Sequence, residues 1–328
     1  MKHAAGNIRA ALAANLLICS MGAQAQYSAK DYPSKPIRIL VGVTAGGGID
    51  TTARAVAQKL TEAWGRQVVV DNRPGANSGI ALEAAAKATP DGYTLCMIVA
   101  SQTVNAAVNT KLPYDLVKDF APISQITSLY YVLYHTPSLA VKSTKDLIAH
   151  AKANPGKIPY ASAGANTLQH LAVELFGHIA GIKLVHVPYK GGAAAVSGSL
   201  TGEVQLGFSG MLTLRSHFAS GRLRALAMTA KERSSTAPEL PTMTEAGVPG
   251  YELYQWYGLM TGAKVPPAII RKLNTGVAEA MKAPDVAQRL NAEGSIPFTS
   301  SPEAFDAFIK SEIAKWRKLA QDAKLSLS

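Results

Sequence analysis

Cysteine is scarce in this chain of 328 residues, which contains two, Cys19 and Cys96. Cys19 lies in an N-terminal segment that we expect to be removed, so the mature chain keeps one thiol. A single thiol excludes an intrachain disulfide and a cysteine-based metal cluster. Because Cys96 stands within the apolar run YTLCMIVA, we expect it to be a small residue of the core.

The sequence also lacks an apolar run long enough to span a bilayer. Residues 10–20 are apolar but few; they follow a basic start and precede an AQA pattern that ends at Ala25. This order is typical of a secretory signal peptide, so we expect cleavage after Ala25 and export to the periplasm. Two alternatives are a buried N-terminal helix and a lipoprotein acylated at Cys19, although the residue before Cys19 is not small.

A basic stripe is missing as well, although the net charge is +11. Basic residues are scattered and often stand beside acids, as in KDLIAHAK and SEIAKWRK. A nucleic-acid groove needs clustered basic residues interleaved with aromatic ones, so we expect no nucleic-acid partner. The histidines show no metal-ligand spacing such as H-E-x-x-H, and we expect neither a metal nor a cofactor.

Short strand-like runs alternate with helical stretches over the rest of the chain. Strands are predicted at residues 37–43, 67–72 and 93–100 from their β-branched and apolar content, and the helix between the first two ends at Gly65. A second series of strands and helices occupies residues 129–229, and the C-terminal part is helical. Two successive series of this kind predict an α/β protein with two parallel sheets.

Three consecutive glycines, residues 46–48, follow the first predicted strand at the point where a helix begins. Ligands of open α/β sheets bind beyond the carboxyl ends of strands, and a helix N-terminus with exposed N–H groups favours an anion. The nucleotide-binding patterns do not fit, because Ile49 and Asp50 replace the Lys and Ser/Thr of a P-loop and Thr51 replaces the third glycine of the dinucleotide fingerprint. A tight turn without a ligand is the alternative.

A second loop has the same organisation, in the segment YASAGANTLQHL that begins at Tyr160. Ser162, Asn166 and Thr167 offer hydroxyl and amide groups beside the backbone N–H groups of residues 163–165. Neither loop contains Lys or Arg, so a carboxylate would be held by neutral dipoles and by closure that excludes water. Two such loops facing each other would hold a small ligand between the two α/β units.

A resemblance to a known family is carried by several segments that follow one another: DNRPGANSGIALEAAAKATPDGYTL, LPYDLVKDFAPIS, YASAGANTLQHLAVELF, HVPYKGG and LPTMTEAGVPGYELYQWYGL. They resemble the Bug family, the extracytoplasmic solute-binding receptors of tripartite tricarboxylate transporters. The resemblance extends from about residue 32 to the C-terminus. It implies a bilobal, type 2-like periplasmic-binding-protein fold that closes on its ligand like a hinged trap.

The resemblance also implies how the chain is divided. A signal peptide is expected at residues 1–25, the first part of lobe 1 at 26–127, lobe 2 at 128–225, and the return part of lobe 1 with the C-terminal helices at 226–328. Ligands of the family are dicarboxylates, tricarboxylates, aromatic acids or amino acids.

The resemblance places ligand binding on the same two loops, where one carboxylate is held partly through waters. Residues after the third strand and at the end of a later strand complete the expected site. The predicted ligand-binding residues are Thr44, Ala45, Gly46, Gly47, Gly48, Asp50, Ser101, Gln102, Ser162, Ala163, Gly164, Ala165, Asn166, Thr167, His170 and Ser209.

Some of these residues have alternative roles. Asp50 would repel an acid, so we favour a capping role at the following helix. His170 supports the loop or contacts a bound water, or else it is a packing histidine. Trp256 and Tyr257 could line the pocket, but aromatic residues more often belong to the core.

Departures from the family pattern concern the ligand. Residues 43–45 replace the proline-rich start of the first loop, and Gly198, Gln205 and Ser209 stand where the family commonly has acids. The loss of acids near the cleft fits a ligand without an amino group.

The expected function is capture of a small organic acid by a monomer that delivers it to the membrane permease subunits of a tripartite transporter, without catalysis. A ligand-sensing module for a signalling partner would use the same cleft. A serine hydrolase is disfavoured, because Met211 replaces the final glycine of the nucleophile elbow in the segment GFSGM.

Overall fold

The computed structural model describes residues 30–46, 48–109, 111–165, 167–234, 237–292 and 294–322. The predicted signal peptide with its cleavage site, together with Gly47 and Asn166 of the two predicted loops, lies outside the described residues. The chain divides into two units, Met1–Tyr32 and Pro33–Ser328, and the second unit is described below.

The first sheet has the strand order β11-β4-β10-β3-β1-β2. Strands β2, β1 and β3 are parallel, whereas β10 runs antiparallel to both β3 and β4, and β11 runs antiparallel to β4. The six strands are β1 (Ile37–Val41), β2 (Val68–Asn72), β3 (Thr94–Val99), β4 (Phe120–Leu129), β10 (Gln255–Gly262) and β11 (Ile296–Pro297).

The second sheet has the strand order β7-β6-β8-β5-β9. Strands β7, β6 and β8 are parallel, and β5 is antiparallel to β8 and β9. The five strands are β5 (Tyr131–His135), β6 (Pro159–Ser162), β7 (Val185–Pro188), β8 (Leu206–Gly210) and β9 (Arg224–Met228).

Each sheet therefore has the predicted parallel core and, in addition, antiparallel strands that make it mixed. The predicted parallel cores are confirmed, whereas β4 and β10 were not predicted as strands. A strand that pairs antiparallel with its neighbour needs no crossover helix. Alternation of strands and helices in the sequence therefore does not predict it. The chain passes from the first sheet to the second after Leu129 and returns after Met228, close to the lobe boundaries that we predicted and that stay a prediction.

Helices follow most of the strands. The described helices are α1 (Gly48–Trp64), α2 (Gly79–Ala86), α3 (Ala100–Val108), α4 (Thr144–Ala153), α5 (Leu168–Ala180), α6 (Gly192–Leu200), α7 (Met211–Ala219), α8 (Pro267–Lys282), α9 (Pro284–Ala292) and α10 (Pro302–Asp322). None of these helices is both long enough and apolar enough to cross a membrane. Gly65 follows α1 with a φ of 60°, as a C-terminal glycine cap requires.

The core confirms several predictions about single residues. Cys96 is fully buried in β3, where burial raises the pKa of its thiol to about 12, so it is an inert core residue. Trp256 is also fully buried, with its ring edge-on to Phe305 at a centroid distance of 5.6 Å. It therefore belongs to the core. On the C-terminal helix α10, the residues Phe305, Ile309, Ile313, Trp316 and Leu319 are buried at helical spacing.

Candidate functional site

A cavity of about 940 Å³ is lined by residues that follow strands of both sheets. Four of the predicted ligand-binding residues line it: Ser101, Ala163, Ala165 and Thr167. Sequence reasoning missed the amide side chains and the lysine that line the same cavity, which are Asn77, Asn105, Asn109, Lys111, Gln169 and Gln255.

Three helices begin at this cavity. Ser101 is the second residue of α3, Leu168 and Gln169 are the first two of α5, and Gly192 is the first of α6. A helix N-terminus carries unsatisfied N–H groups and the positive end of the helix dipole. Together with the ammonium group of Lys111, these helix ends make the cavity suited to an anion.

The second predicted loop is held by hydrogen bonds inside the protein. The Ser162 hydroxyl contacts Gly164 twice, donating to its carbonyl oxygen at 2.9 Å and accepting from its N–H at 3.1 Å. Thr167 caps α5, with its hydroxyl donating to the Gly164 carbonyl at 2.8 Å and accepting from the N–H of His170. The two hydroxyls that we expected to contact the ligand thus shape the loop in this structure, while Ala163 and Ala165 line the cavity.

Behind this loop lies a cluster of rings that includes a residue we had not predicted. His186, in β7, places its Nε2 atom 2.6 Å from the Ser162 hydroxyl oxygen. Its ring stacks on that of His170 at 4.0 Å and on that of Tyr160 at 5.0 Å. Burial, and then the neighbouring His170, lower the pKa of His186 to about 4, and burial also lowers the pKa of His170.

His170 therefore packs behind the loop and is not among the residues that line the cavity. Support of the loop is one of the roles that we considered for it. The sequence carried a usable signal for His186, because the histidine stands in the strand-like run LVHVPY, which follows the loop strand after one helix, as the second strand of a parallel pair does. Nothing in that segment, however, shows that the histidine faces the loop.

The first predicted loop is organised around Asp50. Its carboxylate accepts hydrogen bonds from the Gly46 N–H (2.9 Å), the Arg54 Nε (2.9 Å) and the Asn72 side-chain amide (2.8 Å). Burial alone would raise the pKa of the Asp50 carboxyl, but these donors outweigh it and hold the pKa below its usual value. Asp50 is thus a buried member of the first turn of α1 that ties the loop to β2.

This arrangement corrects two expectations. Helix α1 begins at Gly48, so Asp50 lies inside it and does not cap a helix that starts at Thr51. The N–H of Gly46, expected to reach a ligand, donates to Asp50 instead. The described residues Thr44, Ala45, Gly46 and Gly48 are not among those that line the cavity.

Two further predicted residues are structural. The Gln102 side chain accepts a hydrogen bond from the Val99 N–H at 2.7 Å and donates to the Asn77 carbonyl at 3.2 Å, which closes the start of α3. Ser209 is buried in β8 opposite Val132. Neither side chain lines the cavity.

The chain passes twice between two mixed sheets, and residues from both sheets line a cavity that suits an anion. This is the architecture of the class of solute-binding proteins. Residues 52–325 match the model of the family described as "Tripartite tricarboxylate transporter family receptor", and the chain belongs to this family. The resemblance to Bug receptors is thereby confirmed.

Relatives cover nearly the whole chain. Protein BugT of Bordetella pertussis is 34% identical over 314 residues, which are 95% of this chain and 96% of the relative. A UPF0065 protein in the tcbD-tcbE intergenic region of Pseudomonas sp. strain P51 is 34% identical over 90% of this chain and 88% of its own length.

Solved structures share the fold. R. palustris Rpa4515 with adipate has a TM-score of 0.75 and 33% identity, covering 90% of this chain and 99% of that one. The periplasmic binding protein BugD has a TM-score of 0.72 and 29% identity, with 89% and 99% coverage. MatC from Rhodopseudomonas palustris with bound malate has a TM-score of 0.72 and 25% identity, with 88% and 99% coverage.

Proposed function

We propose that this protein is a periplasmic receptor that binds a small organic acid in the cavity between its two sheets and delivers it to a tripartite transporter. The observation that carries the proposal is the meeting of three helix N-termini and Lys111 at one cavity. Solved relatives with adipate and with malate support a dicarboxylate as the ligand.

Dipoles alone do not give a tight complex. An exposed helix end contributes about 0.3–1 kcal/mol to the binding of a charge, whereas micromolar affinity requires about −8 kcal/mol. The amide side chains of the cavity supply further hydrogen bonds. The side-chain oxygens of Gln169 and Gln255 are buried without a hydrogen-bond partner among the described residues, so a ligand hydroxyl or a bridging water would stabilise them.

The first loop has a place in this proposal only if the protein closes. Closure of the two sheets around the ligand would bring the α1 end of the first sheet to the carboxylate and exclude water, which strengthens each hydrogen bond. A closed form would also present a distinct surface to the membrane permease subunits. Export by a cleaved signal peptide and a monomeric state belong to the same proposal.

The proposal is tested by calorimetry with a panel of four- to six-carbon dicarboxylates and hydroxylated analogues. Ala165 lines the cavity and is exposed, so a larger polar side chain is tolerated there. Ala165→Asp places a negative charge at the anion site and should raise the Kd of the best ligand at least ~30-fold, about 2 kcal/mol.

Ala165→Asn is the matched control, with nearly the same size and no charge, and should stay within about threefold of the unmodified protein. Equal losses of affinity in the two variants would show that a negative charge at position 165 does not affect binding of the ligand. No heat with any acid of the panel would overturn the assignment of the ligand class.

Binding without turnover separates a receptor from a hydrolase. We propose that Ser209, buried in β8, performs no chemistry, and ester hydrolysis that is lost on Ser209→Ala would contradict this. Growth on the ligand after deletion of the protein distinguishes transport from sensing, because only a transport defect removes growth.

A further inference from the structure

The Ser162 hydroxyl is surrounded by three polar atoms directly behind the cavity. Its oxygen lies 2.6 Å from His186 Nε2, 2.9 Å from the Gly164 carbonyl oxygen and 3.1 Å from the Gly164 nitrogen. Ser162 is fully buried, and the two residues that flank Gly164, Ala163 and Ala165, line the cavity. The contacts of this hydroxyl, together with the Thr167 hydroxyl that donates to the same Gly164 carbonyl, therefore fix the backbone that faces the proposed ligand.

The three contacts indicate the direction of the Ser162 hydroxyl proton and which nitrogen of His186 carries a proton. A hydroxyl has one proton and two lone pairs, and one lone pair accepts the Gly164 N–H. If Ser162 donates to the Gly164 carbonyl, His186 Nε2 must donate to the second lone pair, and all three contacts are hydrogen bonds. If Ser162 donated to His186 instead, its oxygen and the Gly164 carbonyl would be two acceptors 2.9 Å apart. The arrangement therefore favours a proton on Nε2, because only then are all three contacts of the hydroxyl hydrogen bonds.

The His186 ring is held in place from several elements. His170 of α5 stacks on it with an interplanar angle of 14°, and Tyr160 of β6 stacks with an angle of 20°. Tyr160 in turn donates to the Glu174 carboxylate at 2.5 Å, and His170 Nε2 lies 3.8 Å from the same oxygen. Because the stack fixes the imidazole plane, Nε2 keeps its direction toward Ser162.

We propose that His186 is a positioning residue for ligand binding, which donates its Nε2–H to Ser162 and so fixes the backbone at Gly164 between the two cavity-lining alanines. It does so without touching the ligand. The inference rests on the proposed function, since it assigns to the second loop the binding of a carboxylate.

Two substitutions separate the donor from the ring. His186→Phe keeps a flat ring for stacking but removes the N–H, and it should raise the Kd of the best dicarboxylate about tenfold or more. His186→Gln keeps an N–H donor and should stay within about threefold of the unmodified protein. His178→Phe, on the exposed side of α5, is the control for loss of a histidine in this region. An unchanged Kd in His186→Phe overturns the proposal.

A double-mutant cycle with Ser162→Ala tests the path of the effect. If His186 acts through Ser162, the variant with both His186→Phe and Ser162→Ala binds no worse than the weaker single variant, because the two changes remove one shared interaction. Additive losses would show that the two residues act separately and would overturn the proposal.

The proton position is measured directly in the free protein by nitrogen-15 NMR of the imidazole. We expect a protonated Nε2 and an unprotonated Nδ1, and the opposite tautomer would overturn the assignment. This measurement needs no ligand. If the unmodified protein binds no acid, the proposed function fails, while the tautomer still decides whether His186 donates to Ser162.

Discussion

At the scale of single residues, Asp50 shows how a charge is used inside this fold. Its side chain is 3% exposed and lies beside Arg54, whose side chain is 48% exposed. A buried carboxylate is costly unless its oxygens are hydrogen-bonded. Here the Gly46 N–H, Arg54 and Asn72 supply donors to both carboxylate oxygens, so the acid stabilises the first loop.

Asp50→Asn tests this role, because it keeps the shape of the side chain but removes the charge. The amide loses the charge and presents N–H groups where one carboxylate oxygen now accepts hydrogen bonds, which should lower the free energy of unfolding by about 2–4 kcal/mol. Urea denaturation followed by circular dichroism measures it. Asp285→Asn is the control, since Asp285 pairs with Lys59 at 2.8 Å with 59% of its side chain exposed, and such exposed pairs contribute little to stability. Equal losses at both positions would contradict the role of Asp50.

At the scale of whole elements, one close contact sets how near the C-terminal helix α10 lies to strand β10 of the first sheet. A Cβ atom at Gly258 of β10 would lie 2.1 Å from the tip of the Phe305 ring, and Phe305 is fully buried against Trp256. The Phe305 ring therefore cannot shift away from β10 without displacing other core side chains. The absence of a side chain at Gly258 lets the helix approach the strand at this distance.

Gly258→Ala should therefore destabilise the protein by about 2–3 kcal/mol, as overpacking of a well-packed core does. Gly262 ends the same strand, and a Cβ there would meet no atom within 4 Å, so Gly262→Ala should change stability by less than about 0.5 kcal/mol. Thermal unfolding of both variants measures the difference. A similar melting temperature for the two would show that α10 adjusts to the added methyl group.

At the scale of the whole molecule, buried histidines make stability depend on pH. Burial lowers the pKa of His135, His170 and His186 in the folded protein. In the unfolded chain these histidines have an ordinary pKa of about 6.5, so below that pH the unfolded chain binds more protons than the folded protein. The contribution of these groups is therefore complete above about pH 6.5 and is lost as the pH falls; for His186 the window extends down to about 4.

Between pH 7 and pH 4 the free energy of unfolding should fall by about 1–2 kcal/mol more in the unmodified protein than in His186→Gln, after allowance for the partial exposure of the ring to solvent. Urea denaturation at several pH values measures both curves. The carboxylates titrate alike in the two proteins, so their contribution cancels in the comparison. Parallel curves would show that His186 is protonated as easily in the folded protein as in the unfolded chain.

The sequence alone determined most of the strands and helices, the parallel core of each sheet, the second loop and the family. These features depend on local patterns: β-branched runs, helical spacing, caps such as Gly65, and small residues such as Ala163 and Ala165 where a strand meets a helix. A local pattern is readable because the residues that form it are neighbours in the chain.

Only the tertiary structure decided which side chains meet at the cavity and which do not. Lys111 and Gln255 come to it from segments 144 positions apart in the numbering, and His186 reaches Ser162 because β7 pairs with β6. The Gly46 N–H donates to Asp50 and so does not face a ligand. Asp50 in turn is held by Asn72 of strand β2. Such contacts depend on strand pairing and on the packing of distant segments, and a periodicity of three or four residues carries no information about them.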